Sequence, residues 1–187
     1  MNVAAKSPPR PDRRLLALGA TLLLVGLGGW GLNYWNAAAS KQSLHEHADQ
    51  QLRDEIDRRF KQGVVMLHTR EYDHAMTAFH RVLQLAPTMP EAHVNAGFSL
   101  IGLKRFKEAL AFFDAAIDLR RGQVNAYYGM AVALEGLGDL PGATGAMESY
   151  LHLSKADDPY RRKAEAALWE WRARSGAAAP DRALPGR

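Results

Sequence analysis

Hydrophobic and polar positions recur along this chain with a period of 34 residues, and the copies align without a gap. Seven columns of similar residues repeat in this way: Gly63, Gly97 and Ala131; Met66, Leu100 and Leu134; Tyr72, Phe106 and Leu140; Ala75, Ala109 and Ala143; Phe79, Phe113 and Met147; Leu83, Ile117 and Leu151; Leu85, Leu119 and Leu153. Such a period predicts an array of similar helical pairs.

Each column has a packing role in a pair of helices. The small residue in the middle of each first helix lets the second helix approach closely, and the alanine column does the same from the other side. The column that begins at Tyr72 is expected to cover the turn between the two helices, and Pro87 ends the second helix of the first pair. Because one pair cannot bury its apolar face alone, stacked pairs must share a core.

These positions resemble the tetratricopeptide-repeat (TPR) family, whose repeats have the same length and the same small, aromatic, alanine and proline positions. The resemblance covers residues 56–155 and implies an all-α, right-handed helical solenoid. We expect three helix-turn-helix repeats, at residues 56–89, 90–123 and 124–157.

The third repeat departs furthest from the family pattern. Pro141, Gly142 and Gly145 stand early in its second helix, where they weaken helix formation. The family's proline recurs only once, because Arg121 and Lys155 occupy the positions equivalent to Pro87.

Further segments flank the repeats. Asp158 and Pro159 predict a helix start, and the apolar face that follows predicts a capping helix over residues 158–174. Residues 175–187 have little to bury and are predicted to be disordered. Residues 36–55 are highly polar, and they are interpreted as a helical stalk that runs into the first repeat.

An uncharged stretch of 21 residues runs from Leu15 to Trp35. As a helix it would span about 31 Å, which matches a bilayer core of about 30 Å, so residues 15–35 are predicted to be a transmembrane helix. Arg13 and Arg14 precede it, and its end is rich in tryptophan and tyrosine.

The positive-inside rule places residues 1–14 in the cytoplasm and the repeats on the other side of the membrane. The predicted localisation is therefore a single-pass protein of a bacterial inner membrane with a periplasmic repeat domain. The alternative is a cleaved signal peptide, since Ala37 and Ala39 form a small-residue cleavage site and Arg13 and Arg14 suggest twin-arginine export.

Charge and cysteine content narrow the functional classes. The formal net charge is +4, but residues 1–14 carry +3 of it, so the rest of the chain is nearly neutral and a nucleic-acid partner is not expected. The chain has no cysteine, which excludes disulfides, thiolate metal sites and a cysteine nucleophile.

No motif for catalysis, cofactor binding or metal binding is found in the sequence. His45 and His47 are two residues apart, so on a helix they point in different directions and cannot share a metal ion. His74 and His80 also lack ligand spacing. The chain has no phosphate-binding loop, dinucleotide fingerprint or nucleophile elbow, so we expect no enzyme activity, no cofactor and no small-molecule substrate.

The TPR resemblance implies a binding groove on the first helices of the repeats. The family's groove columns correspond here to Phe60, Lys61, Val64, Leu67, Val94, Asn95, Phe98, Ile101, Asn125, Tyr128, Val132 and Glu135. This set is largely apolar and aromatic, and its two asparagines can bind a peptide backbone through both donor and acceptor. The valines can equally be ordinary core residues.

Basic residues are missing from most of the columns with which one variety of TPR domain binds a chain-terminal carboxylate. Phe60, Val64 and Gly129 occupy three of those columns, and only Asn95 agrees. An apolar extended segment or an amphipathic helix is therefore the expected ligand.

These features favour a membrane-anchored scaffold or assembly factor that binds a peptide or helix of a membrane-associated complex. In layout the chain is similar to the TPR subunits of bacterial cytochrome c maturation systems. The alternative is a permanent structural subunit whose groove is filled by a neighbouring chain.

Overall fold

The computed structural model describes residues 46–177 together with Trp30 and Trp35. Contacts divide the chain into two units, Met1–Gln51 and Leu52–Arg187. In the first unit, the described residues are Trp30, Trp35 and 46–51, and all are helical. The repeats lie in the second unit.

Seven helices and no strand are found in residues 46–177. Helical positions run from 46 to 68 (α1), and the helices that follow are α2 (Tyr72–Leu85), α3 (Pro90–Gly102), α4 (Phe106–Leu119), α5 (Val124–Gly136), α6 (Leu140–Leu153) and α7 (Arg161–Ala177). Helices α3 and α4 pair, as do α5 and α6, and each pair contacts the next. The predicted all-helical repeat fold is confirmed for this part of the chain.

The predicted localisation as a single-pass membrane protein is contradicted by the described helices. No helix within the described residues combines the length and the apolar composition needed to cross a bilayer. The predicted span at 15–35 lies outside the described residues, except for Trp30 and Trp35.

The turn inside each helical pair has the same backbone geometry in all three copies. Arg70, Lys104 and Gly138 have positive φ angles of 65°, 58° and 81°, and they are 34 residues apart. After each of them, the next backbone N–H donates to a carbonyl five residues back, as in Glu71 to Met66 at 2.8 Å. This is the Schellman motif, which satisfies the last carbonyls of the first helix and reverses the chain.

Glycines in the first helices are where the helices approach most closely. A Cβ atom added at Gly63 would lie 2.8 Å from the Phe79 ring, and one added at Gly97 would lie 2.7 Å from the Phe113 ring. Phe113 also contacts the backbone of Gly129 in α5. The fully buried Phe113 therefore joins α4 to both the preceding and the following helix.

Two aromatic residues of the column that begins at Tyr72 make contacts beyond the predicted ones at the turn. Tyr72 contacts Gly102 at the end of α3, and Phe106 contacts Gly136 at the end of α5. Both contacts join one repeat to the next, because each glycine lies in the first helix of the following repeat. The column thus fixes the stacking of repeats rather than covering the turn alone.

Pro141 and Gly142 do not disrupt the start of α6. Asp139 precedes the helix, and its carboxylate accepts a hydrogen bond from the Gly142 backbone N–H at 3.0 Å. A Cβ atom at position 142 would collide with that carboxylate, so the glycine permits the cap.

The last helix closes the apolar end of the third repeat. Ala164, Leu168 and Trp171 are buried in one cluster with Tyr150 of α6. The helix runs from Arg161 to Ala177, whereas 158–174 was predicted. Its start is later because Asp158 forms a turn before it, and its end extends through Ser175 and Gly176 to Ala177. Residues 175–177, predicted to be disordered, are helical, and residues 178–187 lie outside the described part.

We predict that Gly97→Ala lowers the free energy of unfolding by about 1–3 kcal/mol, because the buried Phe113 ring cannot move away from the added methyl group. Chemical denaturation of the full chain measures this. Gly145→Ala is the matched control, since a Cβ there meets no atom within 4 Å. It should raise stability by about 0.5–1 kcal/mol, and equal stability of the Gly97→Ala variant and the wild type would contradict the close approach.

Candidate functional site

A pocket of about 470 Å³ opens on the face formed by the first helices of the repeats. Helices α1, α3 and α5 supply most of its walls, and α3 and α5 contact each other directly. Its lining residues are Leu67, His68, Tyr72, Asn95, Phe98, Ile101, Gly102, Asn125, Tyr128, Tyr150 and Tyr160.

Six of the twelve predicted groove residues line this pocket. They are Leu67, Asn95, Phe98, Ile101, Asn125 and Tyr128. The two predicted asparagines come from equivalent helices in successive repeats, so their amide groups are placed on neighbouring walls of one pocket.

Three apolar residues of the predicted set pack within the repeats instead. Val94 is only 3% exposed and belongs to the core of the second repeat. Phe60 and Val64 are half-buried against the core of the first repeat, where the Phe60 ring packs edge-on to Phe79 at 5.8 Å.

The other three predicted residues also lie outside the pocket lining. Lys61 is exposed and pairs with Asp57 at 2.7 Å, and Val132 is half-buried on α5. Glu135 accepts a hydrogen bond from the Trp171 indole at 2.8 Å, so it fastens α7 to α5.

Five of the lining residues are not among the predicted groove residues: His68, Tyr72, Gly102, Tyr150 and Tyr160. Tyr160 lies in the turn before α7, outside the 34-residue period, so no repeat column points to it. Tyr150 lies on a second helix, and the family pattern assigns the groove to first helices. The available sequence signal for Tyr150 was an aromatic residue shortly before the predicted helix start at Asp158.

Three tyrosines form one end of the pocket. The rings of Tyr128 and Tyr150 pack edge-to-face with centroids 5.3 Å apart, and the Tyr160 ring lies 5.9 Å from Tyr128 at an angle of 49°. Edge-to-face pairs are favourable because the positive edge of one ring meets the negative face of the other. The cluster gives the pocket a rigid aromatic wall.

A hydrogen bond from Tyr150 to Asp158 supports this wall. The Tyr150 hydroxyl donates to Asp158 Oδ1 at 2.6 Å, and the Tyr160 backbone N–H donates to the same oxygen at 2.9 Å. Burial raises the pKa of Tyr150, and the bond to Asp158 raises it further. The phenol therefore keeps its proton at physiological pH and remains a donor.

No lysine, arginine, aspartate or glutamate lies among the pocket-lining residues of the described chain. His68 is the one histidine among these lining residues, and its Nδ1 lies 2.7 Å from the Val64 carbonyl oxygen. Because a carbonyl only accepts, Nδ1 carries a hydrogen. Within residues 46–177, no group of three histidine or acidic side chains is placed to hold a metal ion.

Residues 90–123 match a family model described as tetratricopeptide repeat. The chain is also 30% identical over 114 residues to the Hsp70-Hsp90 organizing protein of Triticum aestivum, a match that covers 61% of this chain and 19% of that protein. The chain spans about a fifth of the length of the curated relatives it matches.

Solved structures with the same fold include TPR domains. One is the first TPR domain of Spaghetti (RPAP3) bound to an HSP90 peptide, with a TM-score of 0.60 and 21% identity over 66% of this chain and 94% of that one. A further solved structure with the same fold is that of PcrH in complex with the chaperone-binding region of PopD, with a TM-score of 0.62 and 20% identity over 66% of this chain and 95% of that one. The shared fold and the family-model match to residues 90–123 together support the predicted resemblance to the tetratricopeptide-repeat family.

We predict that Tyr150→Phe lowers stability by about 1–3 kcal/mol, because Asp158 loses a hydrogen-bond donor in a half-buried setting. Tyr127→Phe is the matched control, since the Tyr127 hydroxyl bonds to the Arg121 carbonyl at an exposed position. It should change stability by less than about 0.5 kcal/mol. Chemical denaturation compares the two variants. Equal losses of unfolding free energy would show that the hydrogen bond to Asp158 contributes no more than the exposed one.

Proposed function

We propose that this protein is a non-catalytic interaction scaffold that binds a peptide segment or helix of another protein in the pocket formed by α1, α3 and α5. The observation that carries the proposal is the pocket itself. It combines apolar and aromatic walls with two amide side chains, which are the groups that bury a peptide's side chains and bind its backbone.

Structural neighbours support binding of protein segments by this fold. The Spaghetti TPR domain holds a peptide of HSP90, and PcrH holds a region of PopD. The identities of 21% and 20% establish a shared fold rather than a shared ligand. The chemistry of the ligand must therefore be argued from this chain's own pocket.

The lining argues against an acidic ligand like the HSP90 peptide SRMEEVD. Carboxylates are bound most effectively by arginine and lysine, and neither lines the pocket. The columns used for a terminal carboxylate hold Phe60, Val64 and Gly129 instead. An apolar extended segment or an amphipathic helix fits the pocket better, with Asn95 and Asn125 on its backbone.

A scaffold of this kind serves the assembly of a larger complex when it holds one component for another. A permanent structural subunit would use the same pocket, but it would be recovered only together with its neighbouring chain.

We predict that the double variant Asn95→Ala, Asn125→Ala loses partner capture by the full-length chain about tenfold. Each amide contributes about 0.5–1.5 kcal/mol through backbone hydrogen bonds. Capture is measured by quantifying proteins recovered from an extract of the source cells. The control is Gln62→Ala, Gln84→Ala, which removes two exposed amides outside this pocket.

The control should recover the same proteins as the wild type. If the Asn95, Asn125 variant keeps its melting temperature and captures the same proteins in the same amounts, the pocket is not the binding site. If the chain is always recovered with one neighbouring chain in a fixed ratio, and added free copies of that neighbour do not replace it, the structural-subunit alternative is favoured.

A further inference from the structure

The tyrosine end of the pocket has a chemistry that simple apolar binding does not explain. Tyr150 is 1% exposed and forms the floor, whereas Tyr160 is 56% exposed and forms an accessible wall. Tyr128 lies between them and packs against both rings. Three ring systems from α5, α6 and the turn before α7 thus converge on one place.

A negative charge lies directly behind this aromatic surface. Asp158 accepts hydrogen bonds from the Tyr150 hydroxyl and the Tyr160 backbone, and it has no ion pair among the described residues. Burial raises the pKa of Tyr150, and the neighbouring Arg161 lies close enough to lower it in part, but the hydrogen bonds and the ion pair of Arg161 go to other groups. Its guanidinium donates to the carbonyls of Leu151 and Ser154 and lies 3.7 Å from Glu165.

The pocket lining itself adds no positive charge at this end. Lysine and arginine are missing from it, and His68 belongs to α1 rather than to the three-tyrosine cluster. The faces of aromatic rings carry partial negative charge, and a carboxylate hydrogen-bonded to one of the phenols strengthens it. The local chemistry is therefore complementary to a cation.

We propose that the three-tyrosine end of the pocket binds a cationic side chain of the partner segment, an arginine above all. The inference rests on the proposed function, because the cation belongs to the bound peptide. A guanidinium is planar and weakly hydrated, so it stacks on tyrosine rings at a lower desolvation cost than an ammonium group. Arginine is also the commoner partner in cation–π contacts.

Other side chains fit this end less well. A leucine side chain would gain only from burial and would not use the charge of Asp158. An acidic side chain would meet ring faces and a carboxylate of its own sign. An arginine gains from both features, while its stem can pack on the apolar walls near Phe98.

The test begins with random decapeptides displayed on phage and selected on the immobilised full-length chain. Arginine should be enriched among the bound peptides relative to the unselected library. The strongest peptide is then synthesised with its arginine replaced by citrulline, which is nearly isosteric but uncharged. Its Kd for the wild-type chain should rise roughly tenfold.

Two variants assign the effect to the aromatic ring. Tyr160→Leu should reduce the arginine-to-citrulline ratio of Kd values to less than about twofold, whereas Tyr160→Phe should keep it near tenfold. Tyr160 is an exposed side chain, so neither variant is expected to unfold the protein, and their melting temperatures verify this.

The failures of the two proposals are distinguishable. Peptides enriched without arginine or lysine, or a ratio that persists in Tyr160→Leu, would overturn the cation-binding inference and leave the scaffold function standing. If no peptide is enriched at all, both proposals fail.

Discussion

The described structure depends on one packing constraint: the ring of Phe113 lies between the backbones of Gly97 and Gly129. Any side chain at either glycine would occupy the space of the ring, so α4 is held against α3 and α5 at close range. The same kind of contact recurs between Phe79 and Gly63. Because interiors are packed to the density of crystals, these contacts leave little freedom in how the helices cross.

This constraint also positions the binding surface. Phe98 follows Gly97, and Tyr128 precedes Gly129, so each glycine that contacts Phe113 is adjacent to an aromatic residue of the pocket. The Phe98 ring itself packs edge-on to Phe113 with centroids 5.3 Å apart. The buried ring therefore fixes the spacing of two pocket walls, and the hydrogen bond between Tyr150 of α6 and Asp158, before α7, supports the tyrosine end of the pocket.

Much of the fold follows from the sequence, because residues that recur every 34 positions, such as Gly97 and Phe113, are those that pack the two helices of a pair together. The close approach of Phe113 to Gly97 could be predicted, since both residues belong to columns that repeat every 34 positions. The contacts of Phe113 with Gly129 and of Tyr72 with Gly102 could not, because they join different repeats and appear in no single column. Stacking between repeats is thus the part of the fold that the pattern leaves open.

The site was predictable only in part, for a related reason. The family columns led to Asn95, Asn125 and Tyr128, which line the pocket. They also led to Val94, which is buried in the core, because neighbouring residues on one helix point to different sides. Tyr160 belongs to a turn outside the period. The predicted single-pass localisation, drawn from composition and charge rules alone, is overturned, since the described helices contain no apolar span of sufficient length.

The most direct test of the central claim is site-specific photo-crosslinking in the source cells. Benzoylphenylalanine is placed at Asn125, an exposed residue of the pocket lining, and separately at Leu153, an exposed residue of α6 outside it. We expect position 125 to crosslink a distinct partner protein and position 153 to give no such product. A partner crosslinked from position 153 alone, or equally from both positions, would contradict the account.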